Sequence, residues 1–468
     1  MNPAIPVVVT DDSNKSQYGK YGYWCCNSVV PITTLPAIFI FISAGMQLAL
    51  GLGFEPLYSI YGNVEHFRFS WFIGVIIGAV ACMPLLMYAP RKCVMLTSSV
   101  LILIEGILFT SAPTRADPLL AGRYLNGIAV GLATITYLMY ASEIAPNRYR
   151  GSCSAIEQYS LTIGIAIQVI YATQWNLLLK FPVTRVHGIL DIIFALAAGV
   201  LAQFCFIESP IVGLLQKDEA SAWNSLAHLE LPKTVSSATK QRFEELKEYA
   251  RDESSLDLMD NIKRSAVPLA KMILFRSAIL AFSFSLPLSR ALIEGSAMNH
   301  INWPAIVAVC LRIFGAGIAH VQIDYIGRKL PSLVCAVIIG GLLIGIGAIC
   351  NNYINLYTQR PMAIVTSLCL LLQFFAGAYA PFTSVYLGEA FPLKLKGYFI
   401  AGCVVVEQLI HIIVICSYVR VNGPVFIAPG VITVLAAVAL LVTMPETRKT
   451  SLMEAQGRFR HLLYLKML

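Results

Sequence analysis

Two strings of charged residues recur in this chain with the same internal spacing. One reads Tyr140-Ala-Ser-Glu143-Ile-Ala-Pro146-Asn-Arg-Tyr-Arg150-Gly151, the other Tyr386-Leu-Gly-Glu389-Ala-Phe-Pro392-Leu-Lys-Leu-Lys396-Gly397. In each, a Glu is followed seven residues later by a cation, with a Pro between them. A third string, Asp324-Tyr-Ile-Gly327-Arg328-Lys329, sets a carboxylate and two cations around a glycine. Groups disposed in this way form charge-assisted hydrogen bonds that can latch neighbouring helices and be released when the helices part. The plainer alternative is that they set topology and helix ends, but topology needs only Lys and Arg, and these strings combine acid with base.

Other chemistry is sparse. There is no HExxH, GxSxG or GxxxxGK pattern, and the seven His are dispersed. The twelve Cys include no CxxC and no Cys/His pairing of zinc type. No enzymatic activity, cofactor or metal is expected. Cys25 and Cys26 precede the first apolar run, a juxtamembrane position open to palmitoylation.

The elements that position the strings follow from composition. With 57% hydrophobic and 13% charged residues and a mean hydropathy of +0.70, the chain has lipid as its solvent. Runs long enough to cross the hydrocarbon as helices fall at 31–54, 70–88, 93–112, 118–140, 153–173, 187–207, 267–292, 302–322, 331–351, 362–386, 396–419 and 424–444. The fold class is therefore all-α integral membrane, with about twelve helices in two six-helix bundles. The expected organisation is a tail at 1–30, bundles at 31–207 and 267–444, a polar linker with short helices at 208–266, and a second tail at 445–468. Within the linker, Ala220 to Leu229 and Gln241 to Arg251 have helical spacing, with Glu244 and Glu248 each three residues before a cation. Gly74/Gly78, Gly127/Gly131 and Gly341/Gly345 predict close helix approaches.

The start carries no basic-then-apolar signal segment. Lys and Arg concentrate at the ends of runs that share one side if both termini are cytoplasmic. The net charge of +8 is thus explained by membrane topology, not by nucleic acid.

The strings, with Gly122-Arg123 followed by Gly127 and Gly131, Glu208-Ser209-Pro210, and Pro445-Glu446-Thr447-Arg448, resemble in order and spacing the sugar-porter branch of the major facilitator superfamily. The resemblance implies a rocker-switch carrier in the plasma membrane, taking a small solute such as a sugar through a central site. Its cytoplasmic gate would comprise Arg91, Glu143, Arg150, Glu208, Asp324, Arg328, Glu389, Lys396 and Glu446. The first-half counterpart of Asp324-to-Lys329 reads Met87-Tyr-Ala-Pro90-Arg91-Lys92, without Asp or Gly, which implies a weaker latch there.

Gln47 and Gln158 match amides of the family's sugar site. Elsewhere the site departs: Ser384 stands at a Trp position, Glu407-Gln408 replaces Asn-Trp with His411 following, and Arg312 stands at an amide position with Arg290 nearby. Gln47, Gln158, Arg290, Arg312, Ser384, Glu407, Gln408 and His411 are the candidate solute contacts. A mid-span Arg costs at least ~2.5–3.5 kcal/mol unless it faces protein or water, so Arg312 needs a partner. Glu407 leads, before Glu294, Glu105 or an anionic solute. Gly51 stands at the family's proton-coupling position, so facilitated diffusion is expected. Proton coupling through Glu105 or Glu407, an organic-anion carrier, and a transporter-like receptor without flux are the alternatives.

Overall fold

The computed structural model describes residues 30–54, 64–174, 182–229, 237–255 and 257–464, and these contain helices and no strand. Cys25 and Cys26 lie outside the described residues. The first half comprises α1 (Val30–Gly51), α2 (Val64–Tyr88), α3 (Arg91–Ser111), α4 (Ala116–Ile144), α5 (Arg150–Gln174) and α6 (Val183–Cys205). Three short helices follow: α7 (Pro210–Leu215), α8 (Glu219–Leu229) and α9 (Ser237–Ser255).

The seventh span is broken. It runs as α10 (Leu258–Met272), a π-helical turn (Ile273–Ala278), α11 (Ile279–Ser283) and α12 (Leu286–Met298). The remaining spans are α13 (Pro304–Gln322), α14 (Lys329–Cys350), α15 (Gln359–Glu389), α16 (Lys396–Ser417) and α17 (Pro424–Thr443), and α18 (Leu452–Arg460) closes the described chain. Twelve helical stretches among the described residues are long and apolar enough to cross a membrane. Proline starts several of these helices. Pro210, Pro304 and Pro424 occupy first-turn positions, where the missing N–H costs nothing.

The halves repeat one packing plan. In the first, α2 packs on α4, α3 on α4 and α6, and α1 on α5; in the second, α13 packs on α15, α14 on α15 and α17, and the seventh span on α16. The halves meet along two seams, α5 with α13 and α15, and α2 with α16.

The predicted glycine approaches hold for α2 and α4. A Cβ on Gly74 would stand 2.6 Å from the Tyr124 carbonyl oxygen. The third approach is made by different glycines. Gly341 has open space around it, whereas Gly340 and Gly347 face α17, where a Cβ would lie 3.0 Å from Gly430 O and 2.9 Å from Gly423 O. Only one face of a helix meets its neighbour, and a repeat of four occurs on every face.

In the linker, Lys247 pairs with Glu219 of α8 at 2.8 Å, a contact between helices in place of the expected Glu244–Lys247 pair. The seventh span starts at Leu258, inside the stretch that the sequence assigns to the linker.

Candidate functional site

The charged strings converge at one end of the two bundles. Glu389, at the end of α15, is fully buried and lies between two guanidiniums. Arg150 Nε of α5 donates to its Oε1 at 2.6 Å, and Arg328 Nη1 donates to both oxygens at 2.8 Å. Arg328 Nη2 also donates to Asp324 Oδ1 at 2.9 Å. Asp324 in turn caps the first-half helix α5, accepting from the backbone N–H of Gly151 (3.1 Å) and Ser152 (2.8 Å). A carboxylate at a helix N-terminus satisfies orphan donors and the helix dipole together.

A second clasp joins Arg91 and Glu143 through two hydrogen bonds of 2.6 and 3.0 Å, with Ser209 Oγ donating to the same carboxylate at 2.7 Å. Beside it, Lys396 Nζ of α16 donates to Ser142 Oγ of α4. Thus the acid and base of one string do not pair with each other. Arg150 crosses to the other half, and Glu143 stays within its own.

Two gate residues act differently from expectation. Glu446 caps α14, its Oε2 accepting from Arg328 N (2.8 Å) and Lys329 N (3.0 Å), beside Gly327 at φ +116°. Glu208 makes no ion pair among the described residues, and its Oε1 has no hydrogen-bond partner. Burial pushes its carboxyl above the usual carboxylate range, with Arg91 pulling the other way. The missing first-half Asp has a structural counterpart: the start of α16, at Gly397, meets the Met83 sulfur where α5 meets Asp324.

Deeper between the bundles lies a small cavity, about 30 Å³, enough for water and too small for a sugar. Its wall includes Trp71, Thr134, Glu157, Gln158, Arg276, Glu407, Gln408 and His411. Arg276 sits in the π-helical turn of the seventh span. Such turns insert a residue into the helical count and re-aim side chains, and they recur at functional sites. Its Nη1 and Nη2 donate to the two oxygens of Glu157 at 2.9 and 2.7 Å, and its Nε to Glu407 Oε2 at 3.0 Å. Ser384 Oγ donates to Glu157 Oε2. His411 stacks on Phe72 with ring centroids 4.9 Å apart.

Gln158, Ser384, Glu407, Gln408 and His411 therefore gather at the centre, joined by Glu157 and Arg276, which the sequence reading missed. The signal was available: both are charges inside apolar runs, subject to the cost already counted for Arg312.

The expected Arg312–Glu407 pair is not formed, because Arg276 holds Glu407. Arg312 is 2% exposed and makes no ion pair among the described residues. Its Nη1 donates to Gln373 Oε1 at 2.9 Å and to Ser283 O at 3.4 Å, its guanidinium lies over the Phe284 ring at 5.0 Å, and its Nε has no partner. Ser283 is the last residue of α11, where the seventh span breaks, so Arg312 serves the carbonyl end of a helix. Ser283 is seven residues beyond Arg276, roughly 10 Å along the axis. At an effective dielectric near 20, a unit charge is worth about 4 kcal/mol at 4 Å and roughly 1.7 kcal/mol at that range. Arg290 is further out, near Gly53.

Gln47 is not in the cavity wall. It is fully buried in the first half, where its Nε2 contacts Glu105 Oε1 (2.8 Å) and His187 Nε2 (2.9 Å) and its Oε1 accepts from Arg123 Nη1 (2.8 Å). His187 Nε2 also lies 3.0 Å from Asp191 Oδ2. A Cβ on Gly51 would stand 2.5 Å from Arg123 Nη2.

Two bundles of matching plan, a central cavity lined from both and an ionic latch at one end define a membrane carrier of the two-bundle type. The profile of the family described as "Sugar (and other) transporter" matches residues 66–459. The chain belongs to this family, the sugar porters of the major facilitator superfamily. Among curated relatives, the glucose transporter GlcP of Staphylococcus epidermidis is 28% identical over 84% of this chain and 87% of its own. The D-xylose-proton symporter-like 2 protein of Arabidopsis thaliana is 23% identical over 82% and 79%. The proton:xylose symporter XylE bound to 6-bromo-6-deoxy-D-glucose superimposes with a TM-score of 0.72 at 18% identity, over 92% of this chain and 98% of that one.

Proposed function

We propose that the protein carries a sugar or closely related polyhydroxylated solute across the membrane by alternating access and facilitated diffusion. The observation that carries this reading is the Arg150–Glu389 bridge between the halves, closing one end of a cavity to which both halves contribute. Opening that end requires the bridge to break. Glucose and xylose transport by the relatives named above supports the substrate class.

In this reading the solute meets Gln158, Ser384, Gln408, His411 and the charged group of Glu157, Arg276 and Glu407. The gate consists of Arg91, Glu143, Arg150, Asp324, Arg328, Glu389 and Lys396, with Glu446 and Glu208 in supporting places. The gate faces the cytoplasm with both termini, in the plasma membrane. Gly51 supplies no carboxylate to Arg123, which supports transport without a coupled proton. The buried group of Glu105, His187 and Asp191 favours proton coupling as the second reading.

The test is uptake of labelled hexoses, a pentose and a sugar acid into proteoliposomes, with and without an imposed pH gradient. Saturable uptake of a neutral sugar, indifferent to the gradient, is the expected result. Gradient-driven uptake would replace it with the proton-coupled reading, and ligand binding without flux would make the protein a receptor.

A further inference from the structure

The central charges do not balance. Glu157 and Glu407 share one guanidinium, Arg276, and all three side chains are at least nine-tenths buried. Every nitrogen of Arg276 is already engaged, on Glu157, Glu407, Thr383 or Ser384. With both carboxylates ionised, the cavity wall carries one negative charge in excess. Arg312 is engaged on Gln373 and the Ser283 carbonyl, and neither it nor His411 forms an ion pair with Glu157 or Glu407 among the described residues.

The hydrogen-bonding capacity left over has the same sense. Glu407 uses only Oε2 on Arg276, and its second oxygen has no donor among the described residues. Gln408 is 6% exposed, lines the cavity, and its Oε1 is buried without a partner. A site holding surplus acceptors and a surplus negative charge is completed by a ligand that donates hydrogen bonds and bears a positive charge. A neutral hydroxyl supplies the first and not the second.

We infer that the preferred solute is a sugar bearing a protonated amine, a hexosamine, with its ammonium against Glu407 and Gln408. This rests on the carrier function proposed above and narrows its substrate.

The experiment compares uptake of D-glucosamine, D-glucose and N-acetyl-D-glucosamine at neutral pH into proteoliposomes. N-acetylation removes the charge while keeping the substituent at the same carbon. The expected result is a kcat/KM for glucosamine at least tenfold above that for either neutral sugar. Glu407→Gln should bring the ratio close to one. Because the ratio is measured first in the unmutated protein, a variant that fails to fold does not decide the matter. Equal or better uptake of glucose overturns the amine assignment and leaves the carrier function standing, as does glucose uptake driven by protons through Glu407. Absence of flux for all three sugars from a folded protein overturns the carrier function and the assignment with it.

Discussion

The latch and the centre are built from the same parts with opposite signs. At the latch, one carboxylate, Glu389, lies between Arg150 of the first half and Arg328 of the second. At the centre, one guanidinium, Arg276, lies between Glu157 of the first half and Glu407 of the second. Both bridges to the first half start on α5, two helical turns apart. The latch recruits Asp324 to neutralise its excess charge; the centre recruits nothing among the described residues. A closed electrostatic circuit suits a part that only opens and shuts. An open one suits a part that must be completed by a ligand.

Removing the shared partner tests this contrast most strongly. Losing one member of a buried ion pair costs 3–5 kcal/mol, because the other charge is left uncompensated. Arg276→Gln leaves two carboxylates without any cation, so it belongs at the upper end, about 5 kcal/mol. Glu389→Gln leaves Arg328 still paired with Asp324, so about 3 kcal/mol is expected. Thermal unfolding of the purified variants in one detergent ranks them. Equal losses, or a larger one at the latch, would break the comparison.

Accessibility sharpens it. Glu389→Gln should speed alkylation of the buried Cys153 on α5 at least tenfold, measured by peptide mass spectrometry on intact liposomes, because Arg150 then loses its ion pair to the other half and keeps there only its hydrogen bond to Thr450 O. Glu407→Gln leaves that tie in place, and its Cys153 should react at the unmutated rate. Similar acceleration in both would mean that the two clusters open as one.

Arg312→Gln should do much less. It removes a charge that has no acid beside it, so the loss of hydrogen bonds to Ser283 O and Gln373 is offset by relief from burying a lone guanidinium. The expected change in stability is within about 1 kcal/mol of zero, by the same unfolding assay. A loss of 3 kcal/mol or more would reveal a paired Arg312 and would weaken the assignment of the surplus charge to the centre.

The latch was legible in the sequence because its residues sit in repeated strings at helix ends, where polar spacing is not diluted by apolar neighbours. The twelve spans were legible for a related reason, since hydrocarbon thickness imposes a length on apolar runs. The centre was only half legible. Gln158, Ser384, Glu407, Gln408 and His411 were named by position, whereas Glu157 and Arg276 stand alone in apolar runs and repeat nowhere. The π-helical turn at Arg276 also shifts the helical count, so spacing along the seventh span does not tell which face that residue occupies. With Arg276 overlooked, Arg312 was left as the apparent partner of Glu407.

Glu208 gives the smallest effect and the finest comparison, as a latch acid outside the spans that has no ion pair among the described residues. Burial raises its carboxyl above the usual value, so the native state holds its proton more tightly than the unfolded chain does. For an acid raised on folding, the stabilising contribution is complete below the unfolded value of about 4.3 and is lost as pH rises through the native value. Glu208→Gln cannot titrate, so the difference in unfolding temperature between it and the unmutated protein should shift in favour of the variant as pH rises through that window, then stay constant. The opposite slope would mean that Arg91 outweighs burial and that Glu208 is a full member of the latch. The latch would then hold a second carboxylate against Arg91, which already pairs with Glu143, and its contrast with the centre would weaken.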